Sequence, residues 1–231
     1  MSGAPASQVR QMFARIAPTY DLLNRLLSAG RDRAWRHILA AQLEPRTRHV
    51  LDLCAGTGDL ALEIARQHPG ATVVAGDFCQ EMLQRGTSKG LNGHAAPLVC
   101  DGLQLPFAAA TFDAITVAFG VRNFEDLRRG LSEMYRVLRP GGTLAVLDFF
   151  RSESRWRDLP FRFYFKQVLP RVGRLISRDA QAYTYLPQSV GRFVTRREFD
   201  SLLQQVGFER IRRTEMDGGI ATLVQACRAV E

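Results

Sequence analysis

At 231 residues, 46% apolar and 23% charged, the chain has material for one well-packed domain and too little for two of ordinary size. No run approaches the ~20 uninterrupted apolar residues of a membrane span, and Met1–Gln11 has no basic start followed by an apolar stretch, so the expected setting is cytoplasmic. The net charge of +8 is compatible with nucleic acid, an anionic membrane surface or an arginine-rich proteome, while the four cysteines form no CxxC pair and the four histidines no ligand spacing, so reduced thiols and no metal site are expected.

After a small, polar start, Val9 to Leu43 carries helical periodicity, broken into pieces by Pro18 and Gly30. A short apolar run, His49 to Cys54, is closed by Ala55-Gly-Thr-Gly58, and a helical pattern continues through Ala65. Ala71–Ala75 predicts a second strand ending at Asp77, Phe78–Lys89 a helix, Pro97–Cys100 a third strand and Phe112–Ala118 a fourth. Asp126–Leu138 predicts a helix, and Pro140-Gly-Gly142 turns the chain into a fifth strand, Thr143–Phe149. Arg151–Gln188 reads as helical, irregular, basic and aromatic. Thr195–Val206 predicts an amphipathic helix, with Glu198 three residues after a Thr195 cap. Strands near Phe208–Thr214 and Ile220–Cys227 close the pattern. Strands alternating with helices predict an α/β fold, a doubly wound, mostly parallel seven-stranded sheet.

Val50-Leu-Asp-Leu-Cys-Ala-Gly-Thr-Gly58 places two glycines in the turn that leaves the first strand, where a ligand must approach the main chain closely. With Ala61 they also satisfy the relaxed GxGxxG/A pattern of dinucleotide enzymes. Asp77, about 20 residues on, suits ribose hydroxyls in either case. Three features favour S-adenosylmethionine. Asp52, in the order DxxxGxG, would repel a pyrophosphate but suits the methionine ammonium. Asp101 follows the third strand, where an acceptor suits the adenine amino group. Arg136-Val-Leu-Arg-Pro-Gly-Gly142 joins a helix to the fifth strand through a tight turn. In this order the elements resemble class I S-adenosylmethionine methyltransferases, with Rossmann-like architecture.

Further segments narrow the resemblance. Phe13-Ala-Arg-Ile-Ala-Pro-Thr-Tyr-Asp21, Trp35-Arg36, Phe119-Gly-Val-Arg-Asn123, Tyr183-Thr-Tyr-Leu-Pro-Gln-Ser189 and Gly218-Gly-Ile220 are similar to the ubiquinone/menaquinone biosynthesis C-methyltransferases, of demethylmenaquinone methyltransferase type. The resemblance implies C-methylation of a polyprenyl quinol, demethylmenaquinol or a methoxy-polyprenyl-benzoquinol, and cofactor contacts at Thr57, Asp77 and Asp101-Gly102. With the residue reading, the expected cofactor set is Asp52, Gly56, Thr57, Gly58, Asp77, Asp101 and Gly102. Ala118 stands where family members often have Ser, and Asp101-Gly102 where many have Asn-Ala. One methyltransferase domain over 1–231 is expected: a helical extension at 1–45, a cofactor-binding core at 46–150, a helical lid at 151–194, and a closing helix and strands at 195–231.

A quinol carbon is made nucleophilic by a neighbouring oxygen, so a base or an oxyanion stabiliser should stand near it. The candidates are Arg122 and Asn123 after the fourth strand, with Tyr20 and Asp21 from the N-terminal helices; Asn24 and Tyr185 are secondary. Arg122 would alternatively pair with a helix carboxylate, and Tyr20 would alternatively be packing. The segment 155–178 is expected to touch the inner face of the membrane peripherally, to cover the pocket as a lid, or both. No nucleic-acid motif accompanies the charge, so no nucleic-acid partner is expected.

Overall fold

The computed structural model describes residues 5–151 and 180–230. Three helices come first: α1 (Ala6–Ile16), α2 (Tyr20–Leu27) and α3 (Arg31–Ala41). They are followed by β1 (His49–Leu53), α4 (Asp59–Gln67), β2 (Thr72–Asp77), α5 (Gln80–Thr87), β3 (Ala96–Val99) and β4 (Phe112–Ala118). Next come α6 (Leu127–Val137) and β5 (Leu138–Asp148). The described chain closes with α7 (Ala180–Arg192), α8 (Arg196–Val206), β6 (Phe208–Met216) and β7 (Ala221–Arg228).

The seven strands form one sheet in the order β3-β2-β1-β4-β5-β7-β6. The first five are parallel, and β7 lies antiparallel between β5 and β6. Period-2 alternation sends the two faces to different helices. Leu51, Leu53, Ile115, Val117, Leu144 and Val146 face one core, which Leu131 and Met134 of α6 and Phe199 and Leu203 of α8 complete. Val50, Val73, Ala75, Ala114, Ala145 and Leu147 face the other, with Trp35 and Leu39 of α3 and Leu60 and Ile64 of α4. Helices on both faces explain why these strands are mostly apolar on both sides, Asp52 and Thr116 being buried exceptions. Strand order reverses between β1 and β4, and ligands bind in open sheets of this kind outside the carboxyl ends at that point.

The fold matches the expected architecture, with differences at its boundaries. The fifth strand starts at Leu138, not Thr143. Pairing jumps from Phe112↔Leu138 to Ala114↔Thr143, so Pro140-Gly-Gly142 is looped out of a strand that already pairs before it. Helix α5 starts two residues later than expected because Asp77 accepts from the Cys79 amide at 2.8 Å, holding that stretch in a turn. Of the expected helical stretch 151–188, the described part from Ala180 lies in α7, which continues through Pro187 to Arg192; 152–179 lies outside the described residues.

Local caps set the ends of α8, and one long-range contact ties α3 to the sheet. Thr195 and Glu198 form a reciprocal capping box at the start of α8, which Gly207 ends at φ 113°. Asp217, in the β6–β7 turn, accepts from the Trp35 indole at 2.6 Å and from Arg31, pinning α3 to the hairpin.

Phe199 is fully buried, its ring 5.2 Å from Phe150 and 6.2 Å from Phe193. Phe199→Ala is expected to cost about 3–5 kcal/mol in urea unfolding; a loss under ~1 kcal/mol would show that this cluster collapses around the gap.

Candidate cofactor and acceptor site

Leaving β1, the chain takes three left-handed residues in five: Cys54 at φ 57°, Gly56 at 58° and Gly58 at 80°. Glycine suits two of them. A side chain at Gly58 would start 2.7 Å from Leu91, so that position is closed by packing as well as by its angle. Cys54 is a β-carbon residue in the same region, and such strain persists only where neighbours over-determine it.

The neighbour here is Asp77. Ending β2 beside β1, its Oδ2 accepts from the Gly56 amide at 2.8 Å and its Oδ1 from Cys79. Burial pushes the Asp77 carboxyl up to about 6, against the pull of these backbone donors. Asp52 is buried more completely. Its Oδ1 accepts from Thr116 on β4 at 2.9 Å, while its Oδ2 has no partner. Burial pushes this carboxyl up to about 7, with Thr116 and Arg36 pulling it back.

The pocket outside the strand ends is lined by Tyr20, Gly56, Asp77, Asp101, Gly102 and Asn123, among others. It therefore gathers most of the residues singled out from the sequence. Ala118, which stands where family members often have serine, lies on its wall. Asp101 caps its own turn, accepting from the Leu103 amide at 2.8 Å. A side chain on Gly102 would start 2.8 Å from the Phe124 ring, so this glycine makes room for an aromatic wall.

Asp52 and Thr57 face a smaller adjoining recess, with Arg36 and Tyr20. The Thr57 hydroxyl is engaged from the protein side. It donates to Asp21 at 2.5 Å and accepts from Lys89 at 3.0 Å. Lys89 also binds Asp21 at 2.8 Å and contacts Asp59. Burial opposes it, but Lys89 and Thr57 hold the Asp21 carboxyl below its ordinary range. Asp21 is thus tied to a cation, the opposite of what a base near neutrality needs.

Tyr20 is half-buried over the glycine turn, its hydroxyl bonded to Asn24 and its pKa raised by desolvation. Phe13 packs edge-on against it at 6.0 Å. Asn123 accepts from the Tyr185 hydroxyl at 2.8 Å. Arg122 pairs with Asp148, at the end of β5, at 2.7 Å; the carboxylate sits on a strand, not on a helix as weighed from the sequence. Arg122 lines a second cavity of about 650 Å³ with Tyr185, and Phe124 belongs to both cavities.

Sequence reasoning passed over Lys89, Asp59 and Asp148. Asp148 had a signal: like Asp77, it is an acid at the carboxyl end of a parallel strand. Lys89 had none, since nothing in the pattern brings the end of α5 to the glycine turn.

The residues suit S-adenosylmethionine. Asp52 Oδ2 is a buried acceptor with no donor, the feature a ligand ammonium would satisfy, and the glycine turn leaves the backbone open to close approach. Comparison with known proteins agrees. The ubiE/COQ5 methyltransferase family matches residues 1–228. A demethylmenaquinone methyltransferase of Deinococcus radiodurans is 46% identical over 218 residues, covering 92% of this chain and 89% of that protein. A ubiquinone/menaquinone biosynthesis C-methyltransferase of Syntrophotalea carbinolica is 44% identical over 229 residues, covering 98% and 96%. The solved structure of an S-adenosylmethionine-dependent methyltransferase from Thermotoga maritima superposes with a TM-score of 0.67 at 17% identity, covering 94% of this chain and 98% of that one, a likeness of fold.

The raised carboxyls set a pH dependence. Without ligand, Asp52 and Asp77 take up protons as pH falls through about 7 and about 6, and a protonated carboxyl loses its attraction for a cation. Affinity for S-adenosylmethionine, measured calorimetrically, is therefore expected to weaken as pH falls from 8 to 5.5. Asp52→Asn should weaken binding at pH 8 and flatten the upper part of that dependence. A flat profile for the unmodified protein would remove Asp52 from the cofactor site.

Proposed function

The chain belongs to the ubiE/COQ5 methyltransferase family, and from that premise we propose that it transfers a methyl group from S-adenosylmethionine to a ring carbon of a polyprenyl quinol in menaquinone or ubiquinone biosynthesis. The observation that carries the cofactor end is the buried, unpartnered Asp52 Oδ2 beside the glycine turn. Asp52 would receive the methionine ammonium, Asp77 the ribose hydroxyls and Asp101 the adenine amino group, with the main chain of Gly56, Thr57, Gly58 and Gly102 lining the path. When bound, S-adenosylmethionine supplies a methyl group activated by positive charge on its sulfur.

The protein's own work is then to place the acceptor carbon, exclude water and favour electron density on the ring. Tyr20, with Phe13 behind it, closes the pocket from the N-terminal side. Asn123 and Arg122 lie just beyond β4, at the switch point, where the ring hydroxyl would sit. A guanidinium that stays charged would stabilise the quinol as its oxyanion, its proton having passed to solvent before the pocket closes; the neighbouring carbon then takes the methyl group, releasing S-adenosylhomocysteine, and the displaced ring proton returns to the oxygen as the ring regains aromaticity. The cavity beyond Phe124 offers the prenyl chain a way out. The relatives' names support a quinone precursor as the acceptor class, since they are called demethylmenaquinone or ubiquinone/menaquinone biosynthesis methyltransferases.

Such an acceptor resides in a bilayer. Among the described residues no helix is long and apolar enough to cross a membrane. The proposal includes a cytoplasmic enzyme that meets the inner face of the membrane peripherally. The segment 155–178, from which that contact was expected, lies outside the described residues.

The test is methyl transfer from labelled S-adenosylmethionine to reduced demethylmenaquinone and to the demethylated benzoquinol, side by side in detergent without oxygen. Product is expected from at least one, and the faster identifies the pathway. No product from either, with cofactor bound, would remove the acceptor. In the same assay Arg122→Ala is expected to lower kcat by about 10²–10³-fold with cofactor affinity unchanged; an unaltered kcat would exclude Arg122 from the chemistry.

A further inference from the structure

Arg122 is held in an unusual way. Its Nη1 makes two bonds at once, to the Phe119 carbonyl at 2.5 Å and to Asp148 Oδ1 at 2.7 Å. Its guanidinium carbon lies 5.8 Å from the centre of the Phe149 ring. Its Nε is buried and has no acceptor. An N–H group buried without a partner is costly, and native structures carry few of them.

The groups that hold Nη1 are themselves fixed. Asp148 is fully buried, and its Oδ1 also accepts from the Phe149 amide at 2.8 Å. Phe119 is left-handed at φ 61°, a strained angle for a residue with a β-carbon, and its amide is anchored to the Leu147 carbonyl at 2.7 Å. Its ring stacks on Phe149 with centroids 4.9 Å apart. Burial pushes the Asp148 carboxyl up while Arg122 pulls it back, so two charges have been taken out of water for this one contact. An apolar pair of similar volume would usually be at least as stable. The arrangement is better explained by how it fixes the guanidinium than by what it adds to stability.

We propose that Asp148 is a positioning residue for methyl transfer: with the Phe119 carbonyl it clamps Nη1, so that the Arg122 guanidinium is held at the cavity wall toward the ring oxygen of the acceptor while its Nε–H stays shielded from water. This rests on the assignment of Arg122 to the acceptor site. It adds that the neutralised pair, rather than a free cation, faces the ring. Asp148 touches neither substrate nor cofactor and acts only through Arg122. The pairing Ala118↔Leu147 sets the ends of β4 and β5 side by side, which is how an aspartate 26 residues away reaches the arginine.

The test combines a double-mutant cycle with a readout free of turnover. For reduced demethylmenaquinone, Asp148→Asn is expected to lower kcat about 10²-fold, less than or equal to the Arg122→Ala loss, with S-adenosylmethionine affinity unchanged. Added to Arg122→Ala, Asp148→Asn should cost nothing more, because the group it positions is gone. Losses that multiply, or a kcat untouched by Asp148→Asn, would overturn the proposal. Cofactor affinity reports whether each variant is folded. If Asp148→Asn does not fold, Asp148→Glu takes its place: it keeps the charge but displaces the carboxylate, and it should also cost kcat alone and nothing beside Arg122→Ala. In arginine-¹⁵N spectra without acceptor, Arg122 should show an Nε–H protected from solvent exchange that is lost in the same Asp148 variant. Equal protection in both proteins would overturn the clamp even if turnover fell. Should the unmodified enzyme methylate no quinol, the acceptor assignment falls while the spectra still decide the clamp.

Discussion

One hydrogen bond, from the Gly56 amide to the Asp77 carboxylate, carries the geometry of the whole site. The turn after β1 contains three left-handed residues, one of them a cysteine, and would not hold that shape on its own. Asp77 reaches it from the next strand, bonding Gly56 with one oxygen and Cys79 with the other. The same carboxylate therefore fixes the turn and delays the start of α5. With the turn fixed, main chain is exposed where a ligand must come close, and α4 starts in register above it.

The acidic ends of the strands have a shared cost. Asp52, Asp77 and Asp148 are all buried along one edge of the sheet, and burial pushes each of them up. Asp148 has a resident cation in Arg122, while Asp77 has only backbone donors and Asp52 has a threonine and an empty oxygen. On the proposed assignment a cationic ligand would relieve the cost at Asp52 and gain affinity by doing so. Around this edge the N-terminal helices form a cover. Lys89, Asp21, Thr57 and Asp59 tie α2 to the glycine turn, and Asp217 ties α3 to the β6–β7 hairpin. Tyr20 sits on the tied end of α2, so the network holds in place the ring that closes the pocket.

Much of this was legible in the sequence because the physics is local. Short apolar runs marked the strands, glycines marked the turn, and acids stood where strands were expected to end. The class I methyltransferase architecture followed from their order. What was hidden depends on contacts between distant segments. That Arg122 pairs with Asp148 follows from the pairing of β4 with β5, not from any spacing. Lys89 looked like the end of a helix and turned out to be the hub of an ion cluster. Leu138 to Asp148 reads as a turn followed by a strand; only pairing shows that the strand begins before Pro140-Gly-Gly142 and steps around it.

The central claim is that this pocket delivers a methyl group to a quinol ring carbon that Arg122 activates through the adjacent oxygen. The most direct measurement is the position of a ¹³C-methyl group in the quinol product, read by NMR after turnover with ¹³C-methyl S-adenosylmethionine. The account predicts a single ring-bound methyl signal, on the carbon next to an oxygen. A methoxy signal would mean that the oxygen itself is the nucleophile, and the role given to Arg122 would be wrong.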